Sequence, residues 1–228
     1  MLKEEIESES RKIAEYFNEY WPGHADINFD RTFSLRNWAT VLASIIVNHN
    51  NKNSINNFNE NNKSGNNIKN INNYKNELMK TFDNKKILHI GCGYGYFLEV
   101  VKSLNGIPYG IEPYCSFPSG LDIFEGKAED LQDNNSELAK QLANKKFDVI
   151  VAHDVFASSI IIDEENANKI ILSLEPYLEN NGIMVFESQN EESLLDKNNI
   201  EKLGFKAEII EDIKNPYGKT CVQTIIRI

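Results

Sequence analysis

Lys85-Lys86-Ile87-Leu88-His89-Ile90-Gly91-Cys92-Gly93-Tyr94-Gly95-Tyr96-Phe97-Leu98 is the stretch that decides the fold. The apolar run from Ile87 to Ile90 is short and predicts a strand buried in a parallel sheet. Three glycines at alternate positions end that run. Beyond them Phe97, Val100, Val101 and Leu104 fall on one face of a helix. Strand, glycine loop and helix in this order make a site for a nucleotide-type cofactor. Glycine lets the backbone turn tightly and approach a ligand, and the first helical turn offers free N–H groups to an anion.

Spacing narrows the ligand. A dinucleotide loop reads G-x-G-x-x-G, whereas Tyr96 stands here at the place of its third glycine. A P-loop is excluded because no Gly-Lys-Ser/Thr follows. The next strand, Ile107 to Ile111, ends at Glu112, and an acid at a strand tip can take both hydroxyls of a ribose. G-x-G-x-G with an acid about twenty residues further on resembles the class I S-adenosylmethionine-dependent methyltransferases, over roughly residues 84–228. No single family within that superfamily stands out.

The 228 residues suffice for one full α/β domain and an appendage. A net charge of −10 counts against nonspecific binding to nucleic acid or an anionic membrane surface. Cys92, Cys115 and Cys221 are odd in number and form no C-x-x-C pair, so neither a disulfide framework nor a zinc site is expected. The N-terminus is acidic and lacks the apolar core of a signal peptide. The longest apolar stretch, near Trp38 to Val47, is too short to span a bilayer. A reduced, cytoplasmic location is the resulting expectation.

Leu2, Ile6, Ile13, Tyr16, Phe17 and Tyr20 recur at helical spacing, which predicts an amphipathic helix over 2–20. A second helix is expected from an N-cap at Ser34, burying Leu35, Trp38, Val41, Leu42, Ile45 and Ile46. Residues 1–47 thus read as a helical cap. Tyr20, Trp21, His24 and Arg31 are candidates for a lid over the ligand, or for ordinary packing and a solvated loop. Of the 29 residues 48–76, 15 are Asn, too polar to form a core. Residues 48–67 therefore read as a low-complexity insertion, with a further helix over about 68–82 opening the domain of 68–228.

From Lys85 onward strand and helix patterns alternate, which implies right-handed βαβ units. Strands are expected at 86–90, 107–112, about 121–124, 147–152 and 183–187, with helices over about 135–143, 165–178 and 191–203. Two closing strands, near 206–212 and 220–227, are joined by a turn at Asn215-Pro216-Tyr217-Gly218 and must pair antiparallel. The expectation is a doubly wound, mostly parallel, seven-stranded sheet with a C-terminal antiparallel hairpin.

The resemblance implies that S-adenosylmethionine is held by His89, Gly91, Cys92, Gly93 and Gly95 on the first strand and its loop, the glycines facing the methionine half. It implies further that Glu112 takes the ribose diol, that Ala128 and Glu129 meet the adenine edge, and that His153 completes the site beyond the fourth strand. Two features depart from the superfamily's pattern. His89 stands where an acid is commonest, and the helix after the fourth strand lacks the histidine often found there.

Methyl transfer from a sulfonium is an in-line displacement in which alignment supplies much of the rate. A base helps only where the acceptor must lose a proton. His153 is the candidate base, with a wall residue as its other reading, and Glu187 reads as solvated or structural. An adenine-amino enzyme would carry Asn/Asp-Pro-Pro-Tyr after the fourth strand, where Ala152-His153-Asp154-Val155-Phe156 stands. Pro113-Tyr114-Cys115 likewise follows the wrong strand for a cytosine-C5 enzyme. The expected partner is therefore a small molecule rather than nucleic acid or membrane. The alternatives are a non-catalytic binding or scaffold protein on the same fold and, opposed by Tyr96 and the hairpin, a dinucleotide oxidoreductase.

Overall fold

Alternation along the strands separates two cores. In β1 (Lys86–Ile90) and β4 (Phe147–His153), Ile87, Val149 and Val151 face one side while Leu88, Ile90, Ile150 and Ala152 face the other. β2 (Ile107–Glu112), β3 (Asp122–Glu125), β5 (Leu178–Gln189), β6 (Lys206–Lys214) and β7 (Thr220–Arg227) complete a seven-stranded sheet of order β3-β2-β1-β4-β5-β7-β6. β1 pairs in parallel with β2 and β4, β2 with β3, and β4 with β5. β7 runs antiparallel to both β5 and β6. The computed structural model describes residues 2–20, 29–54, 67–114, 120–157, 163–189, 193–216 and 218–228. Trp21, His24, Cys115 and Tyr217 lie outside the described residues, as do the side chains of Tyr20 and Arg31 and residues 55–66 of the Asn-rich tract.

Among the described residues three helices precede the sheet: α1 (Leu2–Tyr20), α2 (Phe29–Ser54) and α3 (Asn67–Phe82). α1 buries Ile6, Ile13, Tyr16 and Phe17, and α2 buries Trp38, Val41, Leu42, Ile45 and Ile46, against the Ile87/Val151 face. α4 (Tyr96–Ser103) packs Phe97, Leu98, Val100 and Val101 into the same core. α5 (Glu137–Leu142), α6 (Glu164–Leu174) and α7 (Lys197–Lys202) cover the opposite face. Each starts on a side-chain cap: Ser136 accepts from the Ala139 N–H, Asp163 from Asn166 and Asp196 from Asn199.

Several boundaries differ from the sequence reading. α2 begins at Phe29 and contains Ser34, because serine is tolerated inside a helix and marks a start only when no turn precedes it. α2 also runs to Ser54, so the tract expected to begin at residue 48 starts as helix. Its Asn48 is buried, donating to the Ser44 carbonyl at 2.7 Å and accepting from Arg227. α6 stops at Leu174 and yields to a 3-10 turn at Glu175–Tyr177 that contains Pro176. β5 starts at Leu178, and its register against β4 shifts before Val149 pairs with Ile183. Among the described residues no helix is long and apolar enough to cross a membrane.

Candidate functional site

The order of strand succession switches sides between the parallel strands β1 and β4, and a cavity of about 350 Å³ opens at the carboxyl ends there. It is lined in part by Gly91, Glu112, Ala128, Glu129, His153 and Asp154. Five of the residues expected from the sequence are thus brought together. The loop itself turns on glycine: Gly95 caps α4 at φ +77, and Gly93 holds φ +52 with no atom of the described residues within 4 Å of where a Cβ would stand. A side chain at Gly93 would enter open space, whereas one at Gly95 would meet Leu121 Cδ1 at 2.7 Å. The two glycines therefore serve different ends, one leaving room and the other allowing the helix to pack.

Glu112 is not a solvated strand-end acid. It is 8% exposed, and its Oε2 accepts the Gly93 N–H at 2.9 Å while Oε1 accepts that of Tyr114 at 3.2 Å. The carboxylate thereby fixes the glycine loop to the tip of β2. Each oxygen keeps a second lone pair for a ligand hydroxyl. Gly91 and Cys92 donate to the Ile111 carbonyl at 2.9 and 3.1 Å, which closes the same junction. Ala128 and Glu129 open a 3-10 turn, Ala128–Gln132, with Ala128 buried and Glu129 exposed; the Lys127 N–H donates to Asp130 at 2.7 Å.

Of the expected residues, His89, Cys92, Gly93 and Gly95 are not among those that line the cavity. Cys92 is buried, and its Sγ sits where a Cβ on Gly110 would come within 2.5 Å, so it fills the space under the loop. His89 is 1% exposed on the cap face, with Trp38 at 4.6 Å and Phe97 at 5.2 Å between ring centroids. Neither of its ring nitrogens has a hydrogen-bond partner among the described residues. Burial first, and the nearby His153 second, push its pKa down to about 3, so it is neutral at pH 7.

His153 stands on the same sheet face, 4.9 Å from the Trp38 ring. Its Nε2 lies 3.3 Å from Glu187 Oε1 and its Nδ1 3.3 Å from Asp154 Oδ2. Burial opposes the imidazolium, but Glu187 and then Asp154 outweigh it, and His153 titrates above its ordinary value. Glu187 is only 3% exposed, which excludes the solvated reading. Thr40 Oγ1 donates to its Oε2 at 2.7 Å, and Gln223, whose amide oxygen accepts from Ser44, donates to the same oxygen. Cys221 lies beside this cluster; burial first and then Glu187 hold its thiol protonated.

Sequence reasoning missed Glu187 as a hub, although a signal existed. Val149, Val151 and His153 alternate on β4 as Ile183, Val185 and Glu187 do on β5, and His153 is in register with Glu187. Two-residue periodicity therefore sets both side chains on the face that α2 covers.

Strand order, antiparallel β7 and a glycine loop at the switch point are those of the class I S-adenosylmethionine-dependent methyltransferase fold. Solved structures with a similar fold include a SAM-dependent methyltransferase from Archaeoglobus fulgidus, with 15% identity, 69% of this chain and 94% of that chain covered, and a TM-score of 0.47. Another is the CcbJ methyltransferase from Streptomyces caelestis, at 11% identity, 66% and 86% coverage and a TM-score of 0.49. The plantazolicin methyltransferase BpumL in complex with SAH shows 15% identity, 99% and 97% coverage and a TM-score of 0.48. No family model matches the sequence. No curated protein matches it.

Proposed function

We propose that this protein binds S-adenosylmethionine in the crevice and transfers its methyl group to a small-molecule acceptor. The observation that carries this reading is Glu112: a buried carboxylate at the tip of β2 that holds the Gly93 N–H and lines the cavity. The residues fit the cofactor. Gly93 leaves open space at the loop, Glu112 retains acceptor capacity for a diol, and Ala128 and Glu129 lie one strand further along for the base. When bound, S-adenosylmethionine supplies a methyl group already activated on a sulfonium.

The chain's own part is alignment and the exclusion of water. Trp38, His89 and Phe97 form an apolar wall behind His153, and α2 closes the cap face above them. His153, facing two carboxylates, carries a proton at lower pH and accepts one from an acceptor only in its neutral form. Its role as base is thus confined to pH above its raised pKa. The net charge of −10 favours a small acceptor over a polyanion.

Titration calorimetry with S-adenosylhomocysteine tests the reading, together with labelled methyl transfer to a metabolite panel. Charge-assisted hydrogen bonds contribute roughly 1.5–3 kcal/mol each, so Glu112→Ala should weaken binding at least tenfold, about 1.4 kcal/mol. A loss under threefold, or binding of NAD(H) instead, overturns it. Binding without turnover on any acceptor favours a non-catalytic protein of this fold.

A further inference from the structure

The strand ends along the crevice follow the order β3, β2, β1, β4, and each contributes a lining residue: Ala128 after β3, Glu112 on β2, Gly91 after β1 and Asp154 after β4. Neighbouring strands lie about 4.8 Å apart, so the tips of β2 and β4 are separated by roughly 10 Å. An elongated ligand with its ribose at Glu112 and its base toward Ala128 must run its other end across Gly91 to Asp154. In S-adenosylmethionine that end is the amino-acid tail, which carries an ammonium and a carboxylate beyond the sulfonium. Stripping water from the ammonium is costly without an anion to meet it.

Among the described residues, the carboxylates lining the cavity are Glu112, Glu129 and Asp154. Glu112 is already engaged by two backbone N–H groups, and Glu129 stands at the base end. His89, the titratable residue of β1 nearest the loop, is sealed under Trp38. Asp154 is placed differently. Its Oδ1 is buried with no hydrogen-bond partner among the described residues, while the side chain as a whole is 37% exposed. Its backbone holds φ +56, and its N–H donates to the Glu187 carbonyl at 2.8 Å. A left-handed conformation is uncommon outside glycine, and Asp is among the residues that adopt it. The last torsion of Asp is broad, so Oδ1 turns toward an incoming donor without disturbing the backbone.

We infer that Asp154 is the counter-ion for the ammonium of the ligand's amino-acid tail, taking it on the oxygen that has no hydrogen-bond partner among the described residues. The inference rests on the cofactor reading above and deepens it. It gives the anion of the tail subsite to the loop after β4 and leaves none to β1.

The test compares two ligands on the full chain by calorimetry: S-adenosylhomocysteine, which keeps the tail ammonium, and 5′-methylthioadenosine, which lacks the tail's amino and carboxyl groups. Asp154→Asn keeps the shape and tolerates the left-handed backbone. It should weaken S-adenosylhomocysteine at least tenfold and change 5′-methylthioadenosine less than twofold. Equal losses for both ligands, or no loss for either, overturn the inference while leaving the cofactor reading intact. Should the variant fail to fold, the wild-type protein decides with S-adenosylhomocysteine and its deaminated analogue. Preference for the former by tenfold or more supports an anion at the tail, and equal affinity overturns it. Wild-type protein that binds neither nucleoside removes the cofactor reading and this inference together.

Discussion

Thr40 on α2 and Glu187 on β5, separated by 147 residues of chain, are joined by a 2.7 Å hydrogen bond between two buried side chains. That contact ties the N-terminal cap to the strand end beside the crevice. A buried carboxylate is costly unless its charge is met by donors and partners, and Glu187 draws them from α2, β7 and β4 together.

Removal of the Thr40 hydroxyl should therefore be felt beyond α2. Thr40→Val keeps the shape and deletes one donor to Glu187, so stability should fall by about 1–3 kcal/mol. Urea unfolding of the variant measures this. A change within error would mean that Gln223 and His153 alone satisfy the carboxylate.

Substitutions in the glycine loop should divide by what each new Cβ meets. Gly93→Val places its side chain in open space at φ +52, a strain of roughly 1–2 kcal/mol, and should abolish S-adenosylhomocysteine binding with the fold intact. Gly95→Ala and Gly91→Ala force contacts of 2.7 Å with Leu121 and 2.6 Å with Val155, and should lower the melting temperature more. Circular dichroism melts alongside calorimetry separate the two classes, and reversal of the order contradicts the loop geometry.

His89 makes an acid-side prediction whose sign is fixed. An unfolded histidine takes up a proton near pH 6.5, while burial holds the folded one neutral down to about pH 3. The unfolded state binds the extra proton between those values, so stability is lost as pH falls across that window. His89→Leu removes this loss together with two unpartnered nitrogens. Its stability at pH 7.5 should match or exceed that of the wild type, and its acid-side decline should be shallower. His153 acts in the opposite sense. Its raised pKa gives stability present below pH 6.5 and lost as pH rises through the folded value. Chemical denaturation at a series of pH values resolves the two; a His89→Leu profile parallel to the wild type would count against the buried neutral imidazole.

Within residues 55–66 only Ile55 and Phe58 are apolar, too little to offset about 1–2 kcal/mol of backbone entropy per ordered residue. Replacing this segment by a short Gly/Ser linker between Ser54 and Asn67 should leave the melting temperature within a few degrees, since closure cost changes slowly with loop length. The cut must begin after Ser54, because the residues before it continue α2 and Asn48 is buried. Loss of ligand binding on replacement would make the segment part of the site.

The sequence by itself determined the parts that local chemistry specifies. Ile87–Ile90, the glycines at 91, 93 and 95 and the stripe from Phe97 to Leu104 define strand, turn and helix within one short window. Glu112 follows because an acid ending the next strand of a βαβ unit must reach the same crevice. Only the tertiary structure decided what Glu112 does there, since its engagement by the Gly93 N–H depends on the loop's folded path. It also decided that His89 is walled off by Trp38 and that Glu187 is buried rather than solvated. Those outcomes rest on contacts between α2 and the sheet, one of them across 147 residues of chain, and both reach past an Asn-rich tract that breaks every periodic signal. Periodicity tells which face of a strand a side chain takes; which helix covers that face is settled by packing.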